Sequence, residues 1–245
     1  MQHRLSGYGV ELRSVAQSDI ETLREWRNRE DIRSMMKSTT YITEEQQQAW
    51  FESLEDATHV RHFVISYKGE DIGSSTLTGL SFVSGFTDDL ENAEEIEPGL
   101  YIGHENYRNN ILAFAPSLVI CDYCFDELQV KKLRATVNAS NKQALSYNQK
   151  LGYTEDSRFF TASSEEGEAE LVTGTSSTDT AISNNKDNTQ NKQEWVAMTL
   201  HRKDYVEATK QIKDFLSRRK SSRNNSRDTD SRDSNSTDTN YRNNE

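Results

Sequence analysis

The sequence predicts an α+β chain: an α/β sandwich whose mostly antiparallel sheet has one crossover and is flanked by helices. Three observations carry this. Apolar and polar residues alternate in short runs such as "GVELRSV" (9–15) and "RHFVISY" (61–67). Other stretches space their apolar residues as helices do and open with capping residues. The predicted order is a strand, two helices, three strands, a helix, a strand, a helix, two strands and a last helix. That order sets one strand–helix–strand–helix unit at the centre of an otherwise antiparallel sheet.

The run at 9–15 is the first strand. In "SDIETLREWRN", Ser18 and Glu21 have capping-box spacing, and Ile20, Leu23 and Trp26 share a helical face. "TEEQQQAWFESL" repeats the device with Thr43 and Gln46, and turns Trp50, Phe51 and Leu54 toward a core. Strands at 61–67 and 71–81 flank Lys68-Gly69, a pair suited to a tight hairpin turn. "EIEPGLYIG" (95–103) is a further strand with a bend at Pro98-Gly99. Leu118, Cys121, Phe125 and Leu128 then recur at helical spacing, and Pro116 suits a first turn, where its missing N–H does no harm. Residues 132–138 are a strand. In the next helix Ser140 caps, Gln143 answers and Gly152 ends the run. "GYTED" begins a short strand, 194–200 is another, and "RKDYVEATKQIKDFLSRR" is a closing amphipathic helix.

Two segments fall outside this order, 161–193 and 219–245. Both are polar and too poor in apolar residues to offset an ordering cost of about 1–2 kcal/mol per residue. The expectation is one domain over 1–218, with a disordered insertion at 161–193 between paired strands and a disordered tail at 219–245.

The 245 residues carry 29 basic and 40 acidic side chains, a net charge of −11, which argues against a broad nucleic-acid footprint. Cys121 and Cys124 sit inside a helical pattern with no second Cys/His cluster, so they read as small buried groups rather than a metal or redox pair. The start lacks an apolar signal core, and no run approaches the ~18 apolar residues of a membrane span. A cytoplasmic protein without membrane, nucleic-acid or metal partners is expected.

Three motifs resemble the GNAT acyltransferase superfamily, over residues 9–160 and 194–216. "NASNKQALSYNQKLGY" looks like its late strand-to-helix signature, with Asn141, Ala144, Gly152 and Tyr153 matching. "EWRNREDIRSMM…ITEEQQQAWFESL" resembles the opening of acetyltransferases that modify amino groups on nucleotide-linked sugars, of the pseudaminic-acid-pathway type. "GLYIG" and "YCFDELQVKKLRA" match that subgroup without gaps. RimJ/RimL-like protein acetyltransferases share much of this.

The resemblance implies acetyl-CoA as donor, no metal and a small-molecule acceptor; a homodimer is a possible assembly, and the sequence does not fix the oligomeric state. The family's diphosphate loop, [QR]-x-x-G-x-[GA], aligns with Arg108, Asn109, Asn110, Ile111, Leu112 and Ala113, so Ile111 stands where a glycine is usual. Main-chain N–H groups grip a diphosphate, and Asn is the non-glycine residue that best tolerates left-handed backbone. The loop is therefore expected to cradle the diphosphate, provided that Ile111 keeps a negative φ and turns its side chain to the core. Main-chain groups of Leu100, Tyr101 and Ile102 would pair with the pantetheine, and Asn141 belongs to the cofactor set. The family's usual acid, a Tyr seven residues after Asn141, falls on Asn148; Tyr147 stands one residue earlier. The usual acid is therefore absent; Asn148 could hydrogen-bond the sulfur or pantetheine as a weak donor, and Tyr147 could stand in as acid if the helix is rotated or shifted. Candidate bases are Glu97, His104 and Glu105, among which no spacing decides. Trp26, Arg27, Asn28 and Met36 fall in the acceptor region, where Arg27 could reach phosphates of the acceptor. The expected activity is N-acetylation of a small amino-sugar acceptor by direct attack. The alternatives are protein N-terminal acetylation and a non-catalytic module with a degenerate CoA loop.

Overall fold

The computed structural model describes residues 3–80, 89–108, 111–162 and 192–229. Asn109, Asn110, most of the 161–193 segment and the last part of the tail lie outside the described residues. Eight strands form one sheet: β1 (Arg4–Gly7), β2 (Val10–Ser14), β3 (Val60–Tyr67), β4 (Glu70–Leu80), β5 (Glu95–Ile102), β6 (Lys132–Asn138), β7 (Thr154–Ala162) and β8 (Lys192–His201). Their order is β1-β2-β3-β4-β5-β6-β8-β7, antiparallel except for β5 beside β6. The helices are α1 (Ile20–Asn28), α2 (Glu30–Arg33), α3 (Glu44–Ser53), α4 (Phe114–Asp122), α5 (Lys142–Leu151) and α6 (Arg202–Thr229).

Local chemistry explains most of these boundaries. Lys68 and Gly69 both have positive φ, 55° and 82°, and close the β3–β4 hairpin in two residues. Thr43 and Gln46 form the expected reciprocal cap of α3, with Gln46 N–H donating to Thr43 Oγ1 at 3.2 Å and Thr43 N–H to Gln46 Oε1 at 2.9 Å. Gly152 ends α5 at φ 101°, and a Cβ there would stand 2.7 Å from the Asp204 carbonyl oxygen. Across the 161–193 segment, β7 and β8 pair as far as Ala162↔Lys192.

Four expectations need correction. Strand β1 is absent from the sequence reading, since "RLSG" holds one large apolar residue; it pairs with β2 through a turn at Tyr8-Gly9, both at positive φ. Ser18 and Glu21 do not cap α1. Asp19 organises that entry, accepting from Ala16 N–H at 2.7 Å and from Arg13 at 2.5 and 3.0 Å. Helix α5 is capped by Asn141, whose Oδ1 accepts from Ala144 N–H at 3.0 Å, while the Ser140 hydroxyl donates to Asn138. Helix α6 runs on to Thr229, past the expected start of the tail at 219. Arginines and lysines are common over that stretch and suit a helix C-terminal half.

One sheet face carries the main core, where Leu12, Phe63, Ile65, Ile96, Leu133 and Val196 meet Leu118 of α4 and Tyr205 and Leu216 of α6. Cys121 and Cys124 are free and buried within it, and burial pushes both thiols up. The other face carries α1–α3. Trp50 of α3 meets His62 of β3 edge to face at 5.0 Å.

His62 Nδ1 lies 3.0 Å from Thr76 Oγ1, and burial lowers its pKa from the usual 6.5 to about 4. The fold thus holds it neutral while an unfolded chain protonates it below 6.5. Its contribution is present above pH 6.5 and lost as pH falls through 4, on the order of 1–3 kcal/mol. His62→Gln should flatten the acid limb of stability across that window, as denaturant melts at stepped pH would show.

Candidate active site

Strands β5 and β6 pair at two positions only, Glu95↔Lys132 and Ile96↔Leu133. Each then continues along its outer neighbour, β5 to Ile102↔Gly73 and β6 to Asn138↔Trp195. The facing edges, Pro98–Ile102 and Arg134–Asn138, therefore diverge into a wedge. Pro98 stands where the pairing is lost, and it has no N–H to give a ladder. The wedge exposes two strand edges to a ligand able to hydrogen-bond with main chain.

After β5 the chain enters a 3₁₀ turn, Ile111–Ala113, that continues as α4. The first N–H groups of this composite helix, at Ile111, Leu112 and Ala113, have no preceding carbonyl within it. Among the described residues the positive-φ non-glycines are Tyr8, Lys68 and Gln129, so Ile111 is not left-handed. The Ile111 side chain packs against the core. Both conditions for a working loop without glycine are met at this residue. Pro116, third in α4, removes a donor only from the first turn.

The remaining candidates divide into those left available and those already engaged. Arg108 does not face the loop: its Nε donates to the Ile102 carbonyl at 2.8 Å, one Nη to the Gly103 carbonyl at 3.4 Å, and the other pairs with Asp31. Arg29 and Arg108 together hold the Asp31 carboxyl well below the usual carboxylate range. Arg29 also donates to the Gly103 carbonyl at 2.7 Å. The two arginines thus brace the end of β5 against α2, a role sequence spacing does not show.

Tyr147 is a pin between helices. Its hydroxyl donates to the Ala113 carbonyl at 2.9 Å and meets Ser117 Oγ at 2.7 Å, while its ring stacks on Phe114 at 4.5 Å. Burial pushes the phenol well up. Asn148 is half-buried, with Nδ2 3.9 Å from Met198 Sδ. Asn141 spends its side-chain oxygen on the α5 cap.

On the acceptor side, Asn28 is fully engaged. Its Nδ2 donates to the Ile42 carbonyl and its Oδ1 accepts from Ile42 N–H, both at 2.8 Å, clamping loop 34–43 to α1. Trp26 lies flat on Gly103. Met36 is half-buried in the clamped loop. Arg27 differs from all of these. Its Nη2 donates to the Ser38 carbonyl at 2.6 Å, but its Nη1 is buried with no partner. Burial lowers the Arg27 pKa. Tyr101 on β5 is close enough for the two groups to influence one another, and burial raises that phenol to about 12.

Glu97, Gly99 and Tyr101 alternate onto the α1–α3 face. Glu97 accepts from Lys37 Nζ at 2.9 and 3.1 Å. The other candidate bases lie beyond the end of β5: His104 Nε2 meets Glu70 at 3.0 Å, and exposed Glu105 meets Arg29 at 3.3 Å. A separate cleft of about 800 Å³ lies between β1 and α4, with Asp122 on its wall. That carboxylate is already engaged by Tyr8, Tyr205 and Lys213 at 2.6–2.7 Å.

The acetyltransferase (GNAT) domain model matches residues 10–154, and the chain belongs to that family, a family of acyltransferase enzymes. Spermidine N-acetyltransferase from Vibrio cholerae, solved with CoA and spermine, superposes with a TM-score of 0.59 at 16% identity, covering 82% of this chain and 99% of that one. Aminoglycoside acetyltransferase AAC(6')-Ib in complex with coenzyme A gives 0.58 at 17%, again covering 82% and 99%. An uncharacterized protein from Bacillus halodurans gives 0.63 at 13%, covering 88% and 97%. At these identities the likeness is one of fold. No curated protein matches the chain significantly in sequence. Among the described residues no helix is long and apolar enough to cross a membrane.

Proposed function

We propose that the chain transfers an acetyl group from acetyl-CoA to the amine of a small anionic acceptor, an amino sugar linked to a nucleotide, by direct attack. The observation that carries the acceptor class is Arg27 Nη1, a buried guanidinium N–H with no partner beside β5. A desolvated cation is costly unless an anion pairs with it, and a phosphate or carboxylate fits its fork. Spermine, present in the Vibrio cholerae structure, is a polycation, which this group would repel.

Acetyl-CoA supplies an activated acyl carbon and a leaving thiol whose pKa is near the 8.5 of a free Cys. In this reading the N–H groups of Asn109 to Ala113 would hold the diphosphate, and those main-chain groups of Leu100, Tyr101 and Ile102 not spent on β4 or, at the Ile102 carbonyl, on Arg108 would hold the pantetheine. A β5 N–H would polarise the thioester carbonyl when the donor is bound. Glu97 would take the amine proton through water, water would return one to sulfur, and Asn148 would serve only as a hydrogen-bond donor to the sulfur. Arg27 fixes the acceptor's charged end.

Rates with amino-sugar nucleotides, peptide N-termini, polyamines and aminoglycosides test this reading. The amino-sugar nucleotide should give the highest kcat/KM; a preference for polyamines would contradict it. Tyr147→Phe should lower stability by about 1–2 kcal/mol, the worth of its hydrogen bonds, and leave the pH–rate profile in place. A kcat loss of about 100-fold or more with a shifted alkaline limb would instead make Tyr147 the acid.

A further inference from the structure

We infer that Lys37 is a self-acetylation site: the enzyme's own side chain occupies the acceptor amine position beside Glu97. The inference rests on the acetyl-CoA reading above. Loop 34–43 is fixed at both ends of its central part, by Arg27 on the Ser38 carbonyl at 2.6 Å and by Asn28 on both main-chain groups of Ile42 at 2.8 Å. Lys37 therefore projects from an anchored backbone, although its side chain is 61% exposed. Its Nζ is held by both oxygens of Glu97, at 2.9 and 3.1 Å.

Glu97 immediately precedes Pro98, the first residue of the diverging β5 edge, and pairs with Thr78 on β4. An ammonium at this carboxylate thus stands on the acceptor side of the wedge, within about a residue of where β5 leaves β6. Two other lysine–glutamate pairs lie at the closed end. Lys131 meets Glu94 at 2.7 Å and Lys132 meets Glu95 at 3.0 Å, where the strands are still paired. They share the ion-pair chemistry of Lys37 but not its position.

The step balances with the donor alone. Glu97 takes one proton from Nζ and passes it to water. The freed nitrogen bonds to the thioester carbonyl carbon, the carbon–sulfur bond breaks, and the thiolate takes the second proton from nitrogen. The products are Nε-acetyl-lysine at position 37, the CoA thiol and one proton in water. The modification removes the charge covering Glu97 and leaves that carboxylate open to an external amine.

The test uses the full chain with isotopically labelled acetyl-CoA and no added acceptor, read by peptide mass spectrometry over time, with CoA titrated calorimetrically in parallel. Label should enter Lys37 at least about 10-fold faster than Lys131 or Lys68, a difference in barrier of about 1.4 kcal/mol. Excess CoA should suppress it. Lys37→Arg, which keeps a cation against Glu97, should abolish the fast label, and Glu97→Gln should slow it to the background rate. If CoA binds but Lys37 labels no faster than Lys131, self-acetylation is wrong and the cofactor reading stands. If CoA does not bind, both fall.

Discussion

Arg27→Met should raise the acceptor KM by about 10–100-fold, with kcat nearly unchanged and stability altered by no more than about 1 kcal/mol. The KM change corresponds to about 1.4–2.8 kcal/mol, which overlaps the low end of the about 2–5 kcal/mol that removing one partner of a buried charge pair costs. Because Arg27 lies on α1 and, in the proposed reading, would grip a part of the acceptor away from the reacting amine, its contribution should be equal in ground and transition states. The stability forecast follows from two opposed effects. Methionine loses the hydrogen bond from Nη2 to the Ser38 carbonyl. It also removes a buried N–H that has no partner, which a free enzyme otherwise carries at a cost. Initial rates over a range of acceptor concentrations, set beside thermal melts of the same preparations, separate the two effects. An unchanged KM with a melting point lowered by many degrees would make Arg27 a structural residue and remove the support for an anionic acceptor.

Gly103→Ala should be the most damaging single methyl group near the site. A Cβ at 103 would stand 2.0 Å from Trp26 Cδ2, 2.4 Å from Cε3 and 2.5 Å from Cγ. These atoms belong to a rigid ring on α1, so relief requires the helix to move rather than a flexible tip to swing. The Gly103 carbonyl is meanwhile tied to Arg29 and Arg108, at 2.7 and 3.4 Å, which keeps β5 from yielding. Overpacking of this kind costs about 1–3 kcal/mol. In a domain of this size that lowers the melting point by about 2–4 °C per kcal/mol. Arg27 is the neighbour of Trp26, so acceptor KM should rise along with the loss of stability, whereas Arg27→Met raises KM alone. A variant that melts like the parent protein would show that Trp26 is free to move and that α1 is not wedged against β5.

Local signals in the sequence carried the fold. Lys68-Gly69, Thr43 with Gln46, and Gly152 each have a short-range physical job, and the structure uses each for that job. The errors arise where distant partners decide. Ser18 and Asp19 are equally plausible caps by residue type, and Arg13 on β2 is what selects Asp19. Arg108 has the right chemistry for a phosphate, but Asp31, 77 positions away, claims it first. Asn28 matches an acceptor-region motif, while the structure spends both ends of its amide on Ile42. Tyr147 and Asn148 differ by one residue and so by about 100° around the helix. That turn sends the phenol under α4 instead of toward the wedge. From the residues themselves, strand divergence at Pro98 reads only as a bend, and the splay follows only from the family resemblance, because the loss of a parallel partner is a property of β6 as much as of β5. The pairing of Lys37 with Glu97 spans 60 positions and leaves no pattern in either segment.

In the proposed mechanism the parted edges of β5 and β6, together with the helix entry at Ile111–Ala113, hold CoA through main-chain amides. Amide hydrogen exchange of the full chain, with and without saturating CoA, measures those groups directly. Slowed exchange should be concentrated in Leu100–Ile102 and in the segment from Ile111 into the first turn of α4, with β1 and α6 unaffected. Exchange at those two places that is the same with and without CoA, up to millimolar cofactor, would contradict it.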